Sequence, residues 1–139
     1  MKSFTICQIP ILTSNLWLLP FIYIFIRKPN NISTGFFVLL ALVVLTILSS
    51  YLFWYNPVKN SIYHKIDAIM ARTAIVSFLL YNKWYRGPTI LFTTSAICSL
   101  IFFGLSHYQY LNEQCSHLHV FSHTMAHIFA AFAILFTFI

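Results

Sequence analysis

One carboxylate, one hydroxyl and several imidazoles stand out against an otherwise apolar chain. In "HLHVFSHTMAHIFAAF", His119, His123 and His127 fall four residues apart, so on a helix they form a single slanting row. His64 and Asp67 are three apart and share one face of their own helix. Three imidazoles with an open fourth position are the usual ligand set of catalytic zinc. Oxygen-seeking ions such as magnesium would require more carboxylates than one Asp. His64, His123 and His127 are therefore the candidate zinc ligands. Asp67 is the candidate group for orienting a ligand ring or taking a proton from a metal-activated water. Ser50 is placed to hydrogen-bond that water or a developing oxyanion.

The elements that must position these groups are membrane spans. The chain has 139 residues, of which 60% are hydrophobic, 19% aromatic and only 7% charged; soluble domains carry about 25% charge. Five blocks, about 9–26, 36–55, 61–82, 89–110 and 118–138, are apolar enough for a crossing, which takes about 20 residues. They are separated by "RKPNNISTG", "NPVKN", "KWYRGP" and "LNEQCSH". Backbone groups find no water in hydrocarbon, so the expected fold is all-α: one polytopic transmembrane helical bundle of about five spans forming a single domain over residues 1–139. The third block is the least apolar, with His64, Lys65, Asp67 and Arg72.

Alternating spans bring the end of the second, the start of the third and the start of the fifth to one side. Ser50, His64, Asp67 and His123 then share a layer about 5 to 9 Å below that surface. An Asp at a span centre costs about 2.5 to 3.5 kcal/mol on insertion scales, so such groups are expected to pair or to hold an ion. The geometry this requires is span 5 packed on span 3, with His123 and His127 facing His64 and Asp67. His117, His119 and His107 read as interfacial residues. Arg72 lies deeper, outside the metal shell, where it snorkels, meets a lipid phosphate or binds carbonyls.

The net charge of +6 comes from scattered basic residues without a dense stripe, so no nucleic-acid partner is expected; the expected partners are membrane lipids. Arg27, Lys28, Lys83 and Arg86 on one side against Lys2, Lys59 and Lys65 on the other give a slight bias toward an external N-terminus. The first block contains Pro10 and Pro20 and ends without a small-residue cleavage site, which favours a retained span over a cleaved signal. Cys7, Cys98 and Cys115 have no CxxC spacing, so no disulfide framework is expected. The sequon Asn31-Ile32-Ser33 lies too near the membrane to fix topology.

"SSYLFWYNPVKNSIYHKIDAIMARTAI" and "SHTMAHIFAAFAIL" together resemble motifs of the membrane hydrolase superfamily that includes alkaline ceramidases, the progestin and adipoQ receptors and the hemolysin III proteins. The resemblance places Ser50, Asp67, His123 and His127 at the family's site positions and implies a zinc-dependent hydrolase of a lipid amide or ester. Trp54 stands where the family has its first His ligand, and five spans replace seven; His64 is the imidazole available in compensation. The alternative is a non-catalytic multi-span protein of the same frame, receptor-like or an assembly or accessory subunit. A third reading, haem held by His64 and His123 as axial ligands, ranks last because Asp67 and Ser50 suit hydrolytic chemistry better.

Overall fold

The structure, a computed structural model, describes residues 6–139. Its first span is composite. A 3₁₀ turn, Ile6–Gln8, leads into α1 (Ile9–Ser14), a second 3₁₀ turn, Asn15–Leu18, and α2 (Leu19–Arg27). Pro10 and Pro20 each sit in the first turn of their helix, where a missing N–H costs nothing. The other helices are unbroken: α3 (Thr34–Trp54), α4 (Ile62–Tyr81), α5 (Ile90–Asn112) and α6 (His117–Phe138), with one π turn, Asn82–Arg86, after α4. Ser33, Ser61, Thr89 and Ser116 open these four, each side-chain oxygen accepting from a backbone N–H of the first turn. That capping satisfies donors that would otherwise be stranded at the membrane boundary.

Ile6–Arg27, Thr34–Trp54, Ile90–Asn112 and His117–Phe138 are long and apolar enough to cross a membrane. The chain is an integral, multi-pass, all-α membrane protein. Lys65, Asp67 and Arg72 reduce the apolar character of α4, but its neighbours set its course. At its start His64 touches Tyr110, near the end of α5, and Phe53, near the end of α3. Just past its end Asn82 Nδ2 donates to Thr137 Oγ1, at the end of α6, over 2.7 Å. Thus α4 runs the whole length of the bundle. The observed helix limits lie within about two residues of the expected blocks, and the 3₁₀ turn Ile6–Gln8 carries the first span about three residues further at its start.

Helix α5 packs along α6, and α3 along α4, while the first span bridges the pairs by touching both α3 and α6. The common core contains Trp17, Phe21, Phe36, Val43, Phe78, Ile134 and Phe138. The expected close packing of span 5 on span 3 is not what forms. Among the described residues α6 takes α5 and the first span as its extended partners, and a cavity separates its histidine row from α4. Residue volume explains this: Phe53 and Trp54, each 2% exposed or less, fill the end of α3 and hold the two walls apart.

Cys7 and Cys115 form a disulfide with Cα atoms 5.2 Å apart, leaving Cys98 free. This corrects the expectation of no disulfide, since partners 108 residues apart carry no spacing signature. The bond fastens the start of the first span beside the start of α6. Lys2, counted in the charge bias, lies outside the described residues.

Candidate functional site

A buried polar contact joins α3 to α4. Ser50 Oγ donates to Asp67 Oδ1 over 2.8 Å, and Ser49 Oγ donates to the same oxygen over 3.4 Å. Asp67 is 8% exposed and Ser50 4%. A serine inside a span ordinarily bonds back to its own helix. Ser50 instead spends its proton on the carboxylate of the neighbouring helix, as their common depth predicts.

The histidines are each held by a different partner. His123 Nδ1 meets Ser106 Oγ of α5 at 3.0 Å, and His127 Nδ1 meets Thr13 Oγ1 of α1 at 2.9 Å. Their ring centres are 4.6 Å apart. Trp17 donates its indole N–H to the His127 carbonyl over 3.1 Å and sets its ring edge-on to that imidazole. Where Nδ1–H donates to a hydroxyl, Nε2 keeps its lone pair free for a metal or a proton. His123 and His127 therefore suit a ligand pair.

His64 is kept elsewhere. Its Nδ1 faces Tyr110 OH at 3.3 Å, and its ring lies between those of Phe53 and Tyr110, with centres 4.9 and 4.6 Å away. Among the described residues no three His, Cys, Asp or Glu side chains are gathered as a metal-holding group. His64 is thus not brought together with His123 and His127, whose rings stand side by side. Trp54 packs its ring on His123 and His119 at 4.9 and 5.5 Å. Its indole N–H is buried without a partner.

His119 corrects the interfacial reading. It is 2% exposed, and its Nδ1 accepts the backbone N–H of Cys115 over 3.0 Å. That acceptor role puts the hydrogen of the neutral ring on Nε2, which removes His119 as a neutral ligand through that atom. His117 is exposed, in keeping with an interfacial place.

A cavity of about 290 Å³ unites much of this chemistry. His64, Asp67 and Arg72 of α4 form one wall; Ser106, His107 and Tyr110 of α5, with His119 and His123 of α6, form another. His127 lies behind His123, outside the lining. Ser106, Tyr110 and Thr13 escaped the reading of the sequence, yet α5 carried a signal. Ser95, Ser99, Ser106 and Tyr110 recur at spacings of four, seven and four, and all are buried, as one helix stripe should be.

No protein-family model matches the chain, and neither does any curated protein or solved structure.

Proposed function

We propose that this membrane protein is a hydrolase of a lipid amide or ester, working in the cavity between α4 and the α5–α6 pair. The observation that carries the reading is the Ser50–Asp67 hydrogen bond, set in the wall of a cavity that His123 lines from another side. A buried carboxylate and, on another wall, an imidazole whose Nε2 is free when its Nδ1–H donates give the cavity two proton-accepting groups. Ser50 holds the Asp67 carboxylate in place, and Ser106 and Thr13 hold the rings of His123 and His127. Phe53, Trp54 and Phe103 limit water around them. Zinc held by His123 and His127 would contribute Lewis acidity toward the scissile carbonyl. The resemblance to the ceramidase and adipoQ-receptor superfamily supports the same reading.

Metal analysis of detergent-purified protein is the direct test. The expected result is one zinc per chain, lost in the His123→Ala, His127→Ala double variant. A metal-free wild type, or zinc unchanged by the double substitution, sinks the zinc-dependent reading.

Trp54 favours a second reading. An aromatic ring occupies the place of an expected ligand, and His64 is bound to Tyr110, so a non-catalytic receptor-like or accessory protein could use the same cavity for lipid alone. A metal-free protein that still binds lipid would select it.

A further inference from the structure

Arg72 has no anionic partner among the described residues. It lies ten residues into α4, about 15 Å from the helix start and so near mid-membrane. It is exposed, and it lines the cavity. A helical side chain leans toward the N-terminus of its helix, which here is the level of Asp67 and His64. The chain has only two acidic residues. Asp67 is engaged by two serines, and Glu113 follows the last residue of α5, past the end of that helix. Arg72 makes no ion pair or hydrogen bond among the described residues. A guanidinium at this depth needs a counter-anion or a path to water, and a planar fork of five donors suits carboxylate or phosphate oxygens.

The apolar surroundings say what the anion is attached to. Beyond Arg72 the cavity meets a narrow groove of about 40 Å³, and the two share Ile75 of α4 and Leu100 of α5. Ala74, Phe78, Leu79 and Ala96 continue the groove. Helices α4 and α5 have no extended backbone contact among the described residues, so the groove runs along an open seam. It is too small to enclose a chain, which would lie along it with one side in the bilayer.

We propose that Arg72 binds the anionic end of a single-chain lipid, carboxylate or phosphate, whose tail follows the Ile75–Leu100 seam. The proposal rests on the reading of the cavity as a lipid site but not on turnover. It gives that site a substrate or product class: a monoacyl amphiphile with an anionic oxygen group.

Equilibrium binding to protein in an uncharged maltoside detergent with a metal chelator tests it. The probes are oleate, oleoyl lysophosphatidate and uncharged monooleoylglycerol. Wild type should bind at least one anion about tenfold more tightly than the neutral probe; which anion binds tighter identifies the headgroup. Arg72→Gln should erase the preference, and Arg72→Lys should keep part of it, which also guards against a misfolded Gln variant. Ile75→Trp should weaken all three probes together. Equal affinities in wild type, or a preference that survives Arg72→Gln in folded protein, overturns the proposal. The His123→Ala, His127→Ala variant should keep the preference, so a failure of the hydrolase reading leaves a distinct signature.

Discussion

Ser50 and Asp67 form the polar contact on which the candidate site depends, and their substitutions separate structure from chemistry. Ser50→Ala leaves the buried carboxylate with only the longer bond from Ser49. Losing a partner of a buried charged group costs about 1 to 3 kcal/mol, so a clearly lowered melting temperature is expected. Asp67→Asn keeps a carbonyl oxygen to accept from Ser50 and removes the charge. The expected outcome is melting within a few degrees of wild type with hydrolytic activity lost; retained activity would remove Asp67 from the proton-accepting role. This pair was legible in the sequence because depth along consecutive helices is simple arithmetic. The partners of the histidines were not, because Thr13 and Ser106 are ordinary span residues whose meaning depends on helix rotation. The ring of Trp54 against His123 was likewise not legible, since nothing in its spacing shows which helix it faces.

At the scale of helices, the limits of the long helices followed from hydropathy and breakers, and four of the five expected spans are apolar enough to cross a membrane, α4 not being among them; which helices neighbour one another did not follow. A pattern of apolar residues all round a helix, as in α3, names no preferred face. Volume decided instead, and the close approach of α3 and α4 at the end away from the site shows it. Gly35 lies against Tyr81; an added Cβ would stand 2.6 Å from the tyrosine ring. The ring is itself packed on Tyr85 and Phe138, so it has little room to yield. Gly35→Ala should cost about 1 to 3 kcal/mol by overpacking, read as a fall in thermal stability. Adding Tyr81→Ala should recover part of that loss, whereas strictly additive losses would show that the two residues do not collide.

For the whole molecule, the Cys7–Cys115 bond and the basic flanks point to opposite faces. Disulfides persist in oxidising compartments, and Arg27, Lys28, Lys83 and Arg86 lie at the other end of the spans, as cytoplasmic loops should. The face with the histidines is therefore expected to be extracytoplasmic. Three cysteines are present, so without reductant only Cys98 should take a maleimide after denaturation. In sealed, right-side-out vesicles an impermeant reductant should expose two more thiols; three reactive thiols from the outset would refute the pairing. The same bond also bears on how the protein is made. It closes a loop that contains the first four spans, so it cannot form until α5 has crossed and carried Cys115 to the oxidising side. Oxidation is thereby a record of the α5 crossing: a chain stalled in the translocation machinery before α5 has crossed keeps a free Cys7 thiol, and quality-control factors that sense thiols could tell it from one that has passed this step.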